Sequence, residues 1–169
     1  MQPDSTTLRE YQQQLFDRIR ASGGSEAASS YLGFEAGEKR WVVPLTDVIE
    51  VLPVPPLVSA PLTAEWFVGV ANVRGSLFAV TDFSRFATDM PVPITPESRL
   101  VLLHAQYRVQ AGLLVSRSLG LRQLKSGPNA TATVSSWQSV VHVDADPRPW
   151  HELNVQELTR DPRFLRVGV

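Results

Sequence analysis

The sequence has no cysteine. That one absence removes a disulfide framework, a thiolate zinc site and a cysteine nucleophile together. It also has almost no net charge: 16 Lys and Arg against 17 Asp and Glu, for a balance of −1. The basic excess with which nucleic-acid binders hold phosphates is missing. No apolar run approaches the ~20 residues that a bilayer-spanning helix requires. The opening MQPDSTTLREYQQQ lacks the basic region and apolar centre of a signal peptide. These absences point to a cytoplasmic chain without membrane insertion and without a nucleic-acid partner. What remains is ordinary: 169 residues, 43% hydrophobic and 20% charged, enough for one domain with a real core.

Motifs of catalysis are missing as well. There is no G-x-S-x-G elbow, no G-x-x-x-x-G-K-[ST] phosphate loop and no G-x-G-x-x-G fingerprint. The three histidines, His104, His142 and His151, show no helical i, i+4 pairing of the kind that holds zinc. His104 and His142 fall in or at the end of apolar strand runs, where a lone histidine is a structural residue. His151 stands at the start of a terminal helix. The stretch HVDADP has two aspartates at calcium-loop spacing but lacks the glycine and the distal glutamate of such a loop, so it reads as a polar turn. No metal or cofactor is expected.

Along the chain, residues 5–22 form an amphipathic helix, with Leu8, Tyr11, Leu15 and Ile19 on one face. The Gly- and Ser-rich run SGGSEAASS then stops it and reads as a linker. That helix either packs on its own domain or is offered to a partner. From Tyr31 the pattern becomes β. YLGFEAG and KRWVVPL form a hairpin about Gly37 and Glu38, and DVIEVLPV follows. The four prolines of PVPPLVSAPL forbid a helix or a central strand there, so it is an extended connector. Residues 66–70 are apolar, 71–75 turn, and SLFAVTDF is a buried strand. RLVLLHA and VQAGLLVS flank a turn at residues 106–108, and WQSVVHVDA is a further strand. HELNVQELTRDPRFL places Leu153, Leu158 and Phe164 on a short helix and the turn after it. Seven or eight short strands framed by helices predict a mostly β fold of barrels or a sandwich.

In the turn GVANVRG, Gly75 permits positive φ where the chain reverses and Gly69 permits close backbone approach. Asn72 tolerates the left-handed region and can bond nearby backbone. Arg74 is therefore displayed at the tip of a tight connection. The longer stretch WFVGVANVRGSLFAVTDF resembles the most recognisable segment of the CheW-like chemotaxis coupling proteins. Their pattern is an apolar lead-in, G-x-x-N-x-R-G, and an apolar strand ending in Val-x-Asp-Leu. Gly69, Asn72, Arg74, Gly75, Val80 and Asp82 match it, with Phe83 in place of the leucine. YLGFEAGEKRWVVPLTDVIEVL is similar to the family's opening hairpin and V-x-E-V segment. The likeness spans residues 31–124 and continues weakly to the end; Ser116 stands near a position where the family often has aspartate. The leading helix and the tail WHELNVQELTRDPRFLRV resemble PilI-type members, those of the chemosensory system that controls type IV pili and twitching motility.

The resemblance implies two SH3-like five-stranded β-barrel subdomains in residues 31–169, with residues 1–30 as helix and linker and a short C-terminal helix. It implies no enzyme activity. Such proteins are adaptors joining the cytoplasmic tips of chemoreceptors to the regulatory domain of a CheA-type histidine kinase. By the family match Arg74, Asn72 and Val48 belong to the receptor-side surface, while Gly69 and Gly75 shape the turn. A coupling protein of another chemosensory system is the neighbouring reading, and an enzyme with a dispersed site is the distant one. A relative carrying a receiver domain would need about 120 further residues.

Overall fold

The computed structural model describes residues 30–123, 132–141 and 147–169. The expected N-terminal helix, most of the linker, His142 and the HVDADP aspartates lie outside them. Twelve strands are present among the described residues. The first six are β1 (Ser30–Ala36), β2 (Lys39–Pro44), β3 (Val48–Pro53), β4 (Leu57–Val58), β5 (Phe67–Val73) and β6 (Ser76–Asp82). The rest are β7 (Arg99–Leu103), β8 (Ala111–Val115), β9 (Arg117–Gln123), β10 (Ala132–Ser135), β11 (Gln138–Val141) and β12 (Trp150–Leu153). Three short helices, α1 (Phe83–Thr88), α2 (Val155–Leu158) and α3 (Pro162–Leu165), complete the set.

The strands make two six-stranded sheets, in the orders β10-β11-β12-β2-β1-β9 and β3-β7-β8-β6-β5-β4. Pairing is antiparallel except at β2–β12 and β6–β8. The family likeness implies two five-stranded units; the pairing gives six strands in each sheet.

Burial follows from alternation. In β7, Val101 and Leu103 face a core between the two sheets, while Leu100 and Leu102 face a second core on the other side of their own sheet. A strand covered on both faces has no room for polar alternation, and hence its sequence RLVLL is a continuous apolar run. The inter-sheet core is the largest. Phe34 and Trp41 meet Phe83 in edge contacts at 5.7 and 4.7 Å between ring centroids. Leu153, Val155, Leu158 and Phe164 seal it from the C-terminal side.

Three expectations are corrected. Residues 71–75 do not all turn: β5 runs through Val73, with Gly69, Ala71 and Val73 buried at period two, and only Arg74 and Gly75 reverse the chain. The proline-rich connector contains the two-residue strand β4, which sits on a sheet edge where missing N–H donors cost least. His151 does not begin a helix. It lies in β12, opposite Trp41 of β2, and the helix starts after Asn154, whose side chain accepts from the Glu157 N–H at 3.0 Å. Asn154 followed three residues on by Glu157 is an N-terminal capping signature, and it marks the boundary in the sequence.

Candidate docking site

Arg74 and Gly75 are the two central residues of the β5–β6 hairpin, with φ of +51° and +85°. Positive φ at both positions is the pattern that matches the twist of flanking strands. Asn72 precedes the turn and its Oδ1 accepts from the Gly75 N–H at 2.9 Å, so the loop is tied to its own strand. Gly75 has no neighbour within 4 Å of where a Cβ would stand; its glycine answers backbone conformation alone. Gly69 has a different reason. At φ +136° its Cβ would lie 2.4 Å from the Val58 carbonyl oxygen, so only glycine lets β4 pair with β5.

The turn displays Arg74, with 70% of its side chain exposed. Its guanidinium forks onto Glu50 of β3, Nη1 to Oε2 at 2.5 Å and Nη2 to Oε1 at 2.7 Å. Hydrogen bonding to Glu50, then its charge, raises the arginine's pKa further, which keeps the cation intact. Three of the five guanidinium N–H donors remain after the two bonds to Glu50. Since two strands, β7 and β8, separate β3 from the β5–β6 hairpin in the sheet order, this pair forms only because the sheet curls. Register shifts between Val48 and Glu50 and between Phe67 and Gly69 supply bends of the kind bulges produce.

The structure thus brings Asn72, Arg74 and Gly75 together with Glu50. Gly69 stands at the other end of β5. Val48 is half-buried at the start of β3, opposite Leu103, where it packs against the inter-sheet core. Ile49, next to Glu50 in β3, and Leu77, two residues after Gly75 in β6, are exposed, 44% and 58% accessible. Glu50 was the residue that sequence reasoning missed, although it is the glutamate of the V-x-E-V segment itself.

Among the described residues no three His, Cys, Asp or Glu side chains are placed to hold a metal ion. His104 caps the short 3-10 turn Ala105–Tyr107, its Nδ1 accepting from the Gln106 N–H. His151 bonds Gln138 through Nδ1 at 2.9 Å, and burial, followed by the charge of Lys39, lowers its pKa. Ser116 accepts from the Gly37 N–H at 3.2 Å. No described helix is long and apolar enough to cross a membrane.

The family model of the CheW-like domain matches residues 30–162. The chain belongs to the CheW-like family. Among CheW-like relatives, Protein PilI of Pseudomonas aeruginosa is 30% identical over 150 residues, covering 85% of this chain and 84% of PilI. Protein FrzA of Myxococcus xanthus is 34% identical over 91 residues, 54% of this chain and 56% of FrzA. The crystal structure of the scaffolding protein TtCheW from Thermoanaerobacter tengcongensis superposes with a TM-score of 0.63 over 81% of this chain and 95% of TtCheW. At 17% identity it bears on the fold alone. The CheW-like fold accounts for the two sheets and the few helices described above.

Proposed function

We propose that this protein is a non-enzymatic adaptor that couples the cytoplasmic tips of methyl-accepting chemoreceptors to the regulatory domain of a CheA-type histidine kinase. In this reading the two sheets act as two SH3-like barrels in residues 31–169, and residues 1–30 form an appendage to them. The system it serves regulates type IV pilus twitching, a reading supported by the likeness to PilI across most of both chains. The likeness to FrzA favours, as second reading, a coupling protein of another chemosensory system. The protein works in the cytoplasm at membrane-bound receptor arrays, without cofactor or nucleic acid.

The observation that carries the reading is the displayed Arg74–Glu50 pair, with exposed Ile49 and Leu77 on the same two strands. A charged fork with spare donors beside apolar side chains is the composition of a docking surface rather than of a reaction centre. Val48, Asn72 and Arg74 belong to its receptor side. The test is co-purification of the full chain with receptor-tip fragments and with kinase regulatory domains. Arg74→Ala is expected to weaken receptor capture by roughly 1–3 kcal/mol, as a hot-spot arginine does, and to leave kinase capture unchanged. Undiminished receptor capture by the variant would remove Arg74 from the interface.

A further inference from the structure

A cleft of about 400 Å³ opens between the end of β2 and the following Leu45–Asp47 turn on one side and the β10–β11 turn and the β12–α2 junction on the other. Its charge is one-sided. Asp47 and Glu152 are among its lining residues, and among the described residues no lysine, arginine or histidine lines it. The remaining polar lining comes from neutral side chains such as Tyr107, Gln138 and Asn154.

A tyrosine hydroxyl holds each carboxylate. The Tyr107 hydroxyl donates to Asp47 Oδ1 at 2.6 Å, and Gln106 adds a longer bond to the same oxygen. The Tyr31 hydroxyl donates to Glu152 Oε1 at 3.2 Å. The second oxygen of each carboxylate has no donor among the described residues. Burial, reinforced by these acids, pushes both phenols up to about 12. They therefore stay protonated and steer the carboxylates without neutralising them. Glu152 and Asp47 both act on Tyr31, so their fields overlap. His151 beyond the wall has a lowered pKa and adds no counter-charge at neutral pH.

A cleft whose described lining charges are both negative calls for a cation. A metal ion does not fit: it needs several oxygens converging within about 2.6 Å, and the described residues provide no such group. The volume far exceeds one ion. It suits an alkyl stem laid along Pro44 with a charged head at the acids, as long basic side chains bury their stems and leave the head to polar partners. Asp47 directly precedes Val48, so the cleft continues the strand assigned above to the receptor side. We infer that the cleft takes an arginine or lysine side chain of a receptor tip docked along β3; this rests on the adaptor reading above.

The test uses the full chain and the double variant Asp47→Asn, Glu152→Gln, whose amides still accept from the two tyrosines but carry no charge. Argininamide serves as the probe and calcium chloride as the control, followed by amide chemical shifts. Argininamide is expected to shift the signals of Tyr107, Gln138 and Asn154 in the wild type and not in the double variant, with calcium silent in both. Receptor-tip affinity of the double variant should fall roughly tenfold, the loss of a charge-assisted hydrogen bond, with a shallower salt dependence. Absent argininamide shifts, or equal shifts in both proteins, overturn the cleft. A double variant that holds receptor tips normally while Arg74→Ala does not would overturn the occupant and leave the adaptor reading standing. If neither variant loses receptor affinity, the adaptor reading falls, and the named occupant with it.

Discussion

Two hairpins of equal turn length behave in opposite ways in this molecule. The β1–β2 turn at Gly37 is tucked in: its N–H bonds Ser116, and a Cβ there would lie 2.4 Å from the Ser84 hydroxyl. Its strands carry Phe34 and Trp41, both fully buried. The β5–β6 turn at Arg74 and Gly75 projects, with open space about Gly75 and an exposed guanidinium. A two-residue turn with positive φ at Gly37 alone therefore serves packing, and one with positive φ at both Arg74 and Gly75 serves display. What separates them is the neighbour, since the first turn abuts α1 and the second leans only on Glu50.

Substitutions should pull this contrast apart. The largest effect belongs to the packed hairpin: Trp41→Ala removes a wholly buried ring that contacts Phe83 and Trp137. It should cost about 3–5 kcal/mol, read from denaturant melts. Gly75→Val comes next, at roughly 1–3 kcal/mol, because a β-branched residue resists φ of +85° even where space is free. A melt like that of wild type would mean that the turn relaxes. Asn72→Ala removes the Oδ1 bond to the Gly75 N–H and should cost about 1 kcal/mol. Arg74→Ala is the smallest in stability, because solvent screens an exposed ion pair, although receptor capture should respond most to it. That inversion between stability and binding is the sharpest form of the comparison.

The packed hairpin should also feel pH. His151 lies opposite Trp41, with its ring 5.1 Å from the indole, and its pKa is lowered in the folded protein. The unfolded chain then binds a proton that the folded one refuses, so stability is full above the ordinary histidine range and declines as pH falls below about 6.5. His151→Gln should flatten that decline in melts taken across pH 7 to 5. At the other turn, Glu50 only raises the pKa of an arginine that is already charged.

Much of this contrast was legible in the residues. Gly37 marked the first hairpin and Gly75 the second, since each turn needs a residue that accepts positive φ; the second left-handed position fell on Arg74, while Asn72 stays extended in β5. Other features were hidden. β4 is two residues long between prolines, too short for alternation to register. β12 runs straight into α2, so its WHEL looked like helix until the Asn154 cap divided the two. Glu50 was visible in its motif, but nothing local says that its carboxylate meets Arg74.

The β character, the tight turn that displays Arg74 and the need for glycine at position 75 are written in neighbouring residues. Those follow from φ preferences and from alternation, which act over a few residues. That one hairpin packs and the other projects arises only when the two sheets come together. The tertiary structure also brought Glu50 to Arg74 across a curled sheet and placed Asp47 and Glu152 on one cleft. Such juxtapositions depend on how bulged strands bend and on which sheet faces pack, and these are settled by contacts between residues far apart in the chain.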